Sequence, residues 1–170
     1  NNARVAANVI ENLLAEDMAQ VEADTREDLP VILDLGSANE LLKQIMYDEG
    51  EEPADRRIVS LDINSEHFEG NDPGSRAQAV VGQFTALPFE AGKADYVNMS
   101  FAIDVTNLVP SRNILDRAET FVEMNRVLKE GGKAVITMPY TTKFKNGDAK
   151  FYHAMEMFGF KVVTEHTGDA

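Results

Sequence analysis

Two carboxylates, Asp34 and Asp62, close the apolar runs VILDLG and RIVSLDI, and they are about 28 residues apart. Asp62, at the end of the second run, can accept two hydrogen bonds from a ribose diol. Gly36 follows Asp34 by two positions and opens the stretch VILDLGSANELL, which reads as a buried strand, a turn and a helix start. That order of elements is how proteins usually hold a nucleotide-type cofactor. The turn has one glycine where two or three are common. Asp62 has a second reading, as a helix N-cap or a turn aspartate, and the spacing leaves both open.

Other chemistries lack their residues. The chain has no cysteine, hence no disulfide and no thiolate metal site. His67, His153 and His166 are scattered without ligand spacing, so no metal is assigned. No serine stands in a nucleophile-elbow motif, and no glycine-rich GK[ST] phosphate loop occurs. A nicotinamide-dependent oxidoreductase would want G-x-G-x-x-G, which is absent.

The 170 residues suit one domain, 1–170, with room for one sizeable core. Hydrophobic residues make up 44% and charged residues 26%, an ordinary globular balance. With 29 acidic against 16 basic residues, the net charge is −13. Nucleic-acid binding depends on neutralising phosphates, so this balance argues against it, although it leaves room for a local basic patch. A solvated acidic surface accounts for the charge. No run approaches the ~20 apolar residues of a membrane span, and no secretory signal is visible. The expected setting is cytoplasmic, without a membrane partner.

Hydrophobic periodicity supplies the elements that must position Asp34 and Asp62. Val5, Val9, Ile10, Leu13, Leu14, Met18 and Val21 recur at helical spacing and predict a helix over 3–23, within an N-terminal segment 1–25. VILDLG is a strand buried on both faces. Leu41, Leu42, Ile45 and Met46 mark a helix, RIVSLDI a second strand, AQAVVG a third and DYVNMSFAI a fourth. Between the second and third strands the polar stretch allows at most a short helix. A helix over 113–129 is expected to stop at Gly131-Gly132, ahead of a fifth strand, KAVITMP. A helix over 148–158 and a sixth strand, FKVVTEH, complete the pattern.

Alternation of strands and helices predicts an α/β fold, a doubly wound and mainly parallel sheet with helices on both faces, spanning 30–165. Ligands of such sheets lie at the carboxyl ends of the strands. The residues placed there are Gly36 to Glu40, Asp62, Gln83, Ser100 to Asp104, and Pro139-Tyr140.

Over 30–165 the chain resembles the class I S-adenosylmethionine-dependent methyltransferases, chiefly the small-molecule type. VVGQFTALPFEAGKADYVNMSFAIDV is similar to the family's strand, GDA-x-x-LPF turn, FD-x-V strand and following loop. FVEMNRVLKEGGKAVITMP is similar to its E-x-x-RVLKPGG passage. Two such blocks in the right order are a fairly specific signal. Leu87, Pro88, Phe89, Gly131 and Gly132 within them shape loops and helix ends.

The resemblance implies a Rossmann-like methyltransferase fold with S-adenosyl-L-methionine as cofactor. Asp34 and Gly36 match the family's acid and first glycine, which hold the methionine part. Ala38 stands where a second glycine is usual, and Glu40 where a third is; Glu40 would repel the cofactor's carboxylate unless it points to solvent. Asp62 matches the ribose-binding acid and Ile63 the adenine contact. Gln83, beside Phe84, replaces an aspartate that accepts from the adenine amine; its amide oxygen still accepts, without charge assistance. Ser100 lies at the end of the fourth strand. Asp104 stands near a position where several small-molecule members carry a histidine. It is the catalytic candidate, as a carboxylate that takes a proton, or else it caps the next turn. Tyr140 fits a pocket-lining or a packing role. The family's amino-methylating N/D-P-P-Y/F loop is absent.

Two functions follow from the resemblance. One is methyl transfer to a small molecule or a protein side chain. The other is a non-enzymatic, methyltransferase-like domain kept for binding, assembly or regulation, which the altered turn and Gln83 favour. The family also adds a seventh, antiparallel strand beside the fifth, for which no residues remain here. Since the chain opens on Asn1 and stops at Ala170, we expect a partial chain, with a missing segment or a partner chain covering the fifth strand's edge.

Overall fold

VILDL is a run of apolar residues around a single carboxylate, and it can be a strand only where helices cover both of its faces. The computed structural model describes residues 2–20, 29–37, 41–46, 55–68, 78–100, 112–137 and 148–161. In it this run is strand β1, Val31–Leu35, the central strand of the sheet. Strands β2 (Arg57–Asp62), β3 (Gln78–Val81), β4 (Ala94–Ser100) and β5 (Leu128–Thr137) join it in the order β3-β2-β1-β4-β5. Every pairing between these strands is parallel.

Side-chain alternation sorts the residues onto two faces. Ile32, Ile58, Tyr96 and Val135 pack against helices α1 (Asn2–Gln20) and α2 (Leu41–Met46). Leu33, Leu35, Val59, Leu61, Val97 and Met99 pack against α3 (Arg112–Val127), with Met155 of α4 (Asp148–Met157) in the same cluster. Helices thus flank both faces, and the fold is doubly wound and Rossmann-like, as expected. The chain runs outward from β1 to β2 and β3, then returns to place β4 on the other side of β1. That reversal is the switch point, and it fixes the carboxyl ends of β1, β2 and β4 as the ligand edge.

Helix α1 meets the sheet through the expected Ile10 and Leu14, with Val9 and Leu13 packed beside them, and through two alanines that the spacing did not point to. Ala6, Ala7, Ile10 and Leu14 are buried, whereas Val5 and Met18 are largely exposed. Two alanines at the contact let the helix axis come close to the sheet. Asp17 anchors its last turn, accepting from the Tyr96 hydroxyl and, at 2.6 Å, from Lys133 Nζ. Lower down, Arg56 pairs with Glu11 of α1 and with Asp55.

Gly131-Gly132 do not stop α3. The helix ends at Val127, and Leu128, the first residue of β5, already pairs with Ala94 of β4. The stop comes from the turn before β4: Gly92 N–H donates to the Arg126 carbonyl (2.9 Å) and Lys93 N–H to the Val127 carbonyl (2.8 Å). These satisfy two of the carbonyls that a helix end leaves without partners. The glycines instead make an irregularity within β5, where the register moves from Ala94↔Leu128 to Tyr96↔Lys133. Gly131 has φ 77°, and a Cβ on Gly132 would lie 2.9 Å from the Lys129 carbonyl oxygen.

The short helix allowed after the second strand is a 3-10 turn, Ser65–Phe68. Among the described residues β5 pairs with β4 alone. The expected sixth strand falls mostly outside the described residues, as do Ala38, Glu40, Asp104, Pro139 and Tyr140. No described helix is long and apolar enough to cross a membrane.

Candidate functional site

Gly36 ends β1 with φ 71°, a left-handed conformation that side chains resist. Its N–H donates to the Leu61 carbonyl at 2.8 Å, and Ser37 N–H reaches the same oxygen at 3.3 Å. The turn therefore lifts the chain off the sheet while stitching the ends of β1 and β2 together. Ser37 buries a hydroxyl that has no hydrogen-bond partner among the described residues.

One layer below, three polar side chains share a row across the α1/α2 face. Asp34 pairs in register with Ser60 on β2 and with Asn98 on β4. All three are buried, Asp34 at 3% exposure and both neighbours at 0%. Asn98 Nδ2 donates to Asp34 Oδ1 at 2.7 Å. Ser100, two residues on, bonds Asn98 Oδ1 (3.3 Å) and Thr137 Oγ1 of β5 (3.2 Å). A buried carboxylate needs this kind of support.

Asp62, 7% exposed, fulfils the turn reading of its sequence position. Its Oδ1 accepts the Asn64 N–H at 2.9 Å. Asn64 Oδ1 in turn accepts Glu66 N–H (3.1 Å), and the 3-10 turn brings His67 Nδ1 to 3.2 Å from Asp62 Oδ2. His67 was outside the expected site, and its five-residue offset from Asp62 carries no recognisable signal. Ile63, next to Asp62, leaves 68% of its surface in solvent. An apolar side chain beside a carboxylate offers a flat base something to rest on.

Gln83 and Phe84 follow β3. Gln83 is exposed and forms an isolated antiparallel bridge with Ala86; Phe84 is half-buried against the α3-side cluster. Gly82 N–H donates to the Asp62 carbonyl at 3.0 Å, which ties this turn to the end of β2.

The two sequence blocks meet in space. Glu123 Oε2 accepts the Leu87 N–H at 2.7 Å, and Arg126 donates to the carbonyls of Leu87 (2.9 Å) and Phe89 (2.8 Å). Glu123 and Arg126 also pair with each other, at 2.7 Å through both oxygens. The hydrogen bond from Arg126 holds the Glu123 carboxyl below the usual range, and Glu123 raises Arg126 in turn. At the amino edge, Asp95 accepts the Val31 N–H (2.8 Å) and pairs with Lys129 (2.9 Å), clasping the start of β1 to β4. These motif residues build loops and edges. A groove of about 570 Å³ lined by Val122, Asn125, Arg126, Met157, Phe158 and Gly159 lies between α3 and α4, away from the carboxyl edge.

The carboxyl edge thus gathers Asp34, Gly36, Asp62, Ile63, Gln83, Phe84 and Ser100, whereas Ala38 and Asp104 lie outside the described residues. Asp34 and Asp62 can meet a cation and a diol, and the partnerless Ser37 hydroxyl can take a further polar group. Among the described residues no cluster of three metal-binding side chains occurs.

The model of a family described as "Methyltransferase domain" matches residues 33–136, from β1 through β5. The chain belongs to this methyltransferase domain family. The cofactor of this domain is S-adenosylmethionine, and the donor set just described fits it. A ubiquinone/menaquinone biosynthesis C-methyltransferase UbiE from Geotalea uraniireducens is 35% identical over 103 residues, covering 55% of this chain and 40% of the relative. A demethylmenaquinone methyltransferase from Staphylococcus carnosus is 38% identical over 89 residues, or 50% of this chain and 34% of that protein. The matched stretches thus cover less than half the length of these curated relatives. Among solved structures, the complex of the Haloferax volcanii Trm112 methyltransferase activator with a methyltransferase aligns with TM-score 0.59 and 20% identity, over 82% of this chain and 64% of that one, a likeness of fold.

Proposed function

We propose that this single domain, 1–170, transfers a methyl group from S-adenosylmethionine to a small molecule. The observation that carries the proposal is the position of Asp34, Gly36 and Asp62 at one sheet edge, inside the matched span 33–136. In this reading Asp34 faces the ammonium of the methionine part. Gly36 and Ser37 give its backbone room and a hydroxyl, Asp62 takes the ribose diol, and Ile63, Gln83 and Phe84 border the adenine. Bound there, the cofactor supplies an electrophilic methyl group on a sulfonium. The protein's part is chiefly to orient donor and acceptor, and orientation alone is worth several kcal/mol. Asp104, four residues after Ser100, is proposed as the group that accepts the acceptor's proton.

One relative is named a ubiquinone/menaquinone biosynthesis C-methyltransferase and the other a demethylmenaquinone methyltransferase, so a quinone precursor is the first acceptor class to test. The binding-only alternative has no support in the comparisons. Calorimetry with S-adenosylhomocysteine tests the cofactor site, and transfer of labelled methyl from S-adenosylmethionine to demethylmenaquinone tests the acceptor. Saturable binding is expected from the first. Its absence in folded protein would sink the proposal.

A further inference from the structure

We infer that Asn98 is a positioning residue that aims the Asp34 carboxylate at the ammonium of the cofactor, and that the hydroxyls of Ser100 and Thr137 support it from the β5 side. The inference rests on the proposed cofactor site. Asn98 can face Asp34 with either end of its amide, but a carboxylate only accepts, so the NH₂ end must face it. That leaves Asn98 Oδ1 as an acceptor, and Ser100 Oγ lies 3.3 Å away to supply its one proton. With that proton spent, Ser100 can only accept from Thr137, 3.2 Å away. The order of donation is then fixed: Thr137 to Ser100, Ser100 to Asn98, Asn98 to Asp34.

The chain crosses three adjacent strands and runs along the register pairs Asp34↔Asn98 and Ser100↔Thr137. A buried amide with only a folding role needs any partner for its oxygen. Here the amide is turned by the Asp34 carboxylate, since a reversed amide would set an oxygen against it, and the Ser100 hydroxyl takes up the oxygen that this leaves. The arrangement holds one carboxylate oxygen from the β4 side and fixes the plane of the group.

The test is calorimetric, with two ligands that share adenosine and the thioether sulfur. S-adenosylhomocysteine carries the amino-acid end; 5′-methylthioadenosine lacks it. Asn98→Ala is expected to weaken S-adenosylhomocysteine at least tenfold and to leave methylthioadenosine within twofold of wild type. Thr137→Val, a milder change at the far end, is expected to weaken S-adenosylhomocysteine two- to fivefold with the same selectivity. It decides the matter if Asn98→Ala does not fold. Equal weakening of both ligands, or no weakening of S-adenosylhomocysteine, overturns the inference. Wild-type protein that binds neither ligand overturns the cofactor site itself, a distinct result.

Discussion

Arg126 donates to the carbonyl oxygen of Phe89 at 2.8 Å, tying the last turn of α3 to the loop that follows β3. Glu123 completes the tie by accepting the Leu87 N–H. The Gln83–Phe84 turn begins this same loop, so a helix on one face of the sheet braces a border of the proposed adenine site. Replacing Arg126 by alanine removes hydrogen bonds to two backbone carbonyls and strips Glu123 of its counter-ion. At roughly 1 kcal/mol for each hydrogen bond, with more for charged partners, the expected loss is about 2–4 kcal/mol. Thermal unfolding should then come down by several degrees; an unchanged midpoint would show that the clamp is dispensable.

The clamp also sets a pH dependence. Arg126 holds the Glu123 carboxyl below its ordinary value of 4.5 in the folded chain. A depressed carboxyl contributes stability that is fully present above its unfolded pKa and is lost as pH falls through the folded one. Wild-type stability should therefore decline below about pH 4.5, in part because of Glu123. Glu123→Gln should lie lower at neutral pH and converge on wild type in acid. Denaturant titrations from pH 3 to 7 would reveal it, and parallel curves would exclude the coupling.

Gly36→Ala tests the turn after β1. A side chain at φ 71° costs roughly 1–2 kcal/mol in strain. The substitution should lower stability by about that much and also weaken S-adenosylhomocysteine, since the turn belongs to the proposed site. A stability loss without a change in affinity would detach the turn from binding.

Asp62 holds a turn and is proposed to hold the ribose, and one substitution separates the two. Asn in its place keeps an oxygen that can accept the Asn64 N–H, so the turn survives. It removes the negative charge and turns one acceptor into a donor. We expect Asp62→Asn to fold normally and to bind S-adenosylhomocysteine more than tenfold more weakly, since a charge-assisted hydrogen bond is worth about 1.5–3 kcal/mol. Unchanged affinity in the variant would make Asp62 a turn residue only.

The sheet and its winding were legible in the sequence because continuous apolar runs such as VILDL and RIVSLD have few other stable uses. The positions of Asp34, Gly36 and Asp62 followed from that, since the edge of a parallel sheet is set by strand direction. Local chemistry was less legible. Gly131-Gly132 look like a helix stop in one dimension, but the stop comes from Gly92 and Lys93, whose N–H groups arrive from more than thirty residues away. The stripe of α1 was legible at Ile10 and Leu14 but not at Ala6 and Ala7, because the spacing rule counts large apolar residues. Asn98 and His67 gave no signal, because a buried amide and a half-buried imidazole declare themselves only through their partners.

The central place of β1 has a consequence for how the protein is made. Asp34 leaves the ribosome 64 residues before Asn98, the side chain that holds it. At roughly 5–20 residues per second, that is a delay of about 3–13 s. During it β1 can pair on its β2 side alone, and its other side exposes unpaired backbone groups. The carboxylate that ends as one of the most deeply buried polar groups begins in water at the rim of an unfinished sheet. Its solvation there keeps that rim from becoming a purely apolar edge while the nascent chain waits for β4.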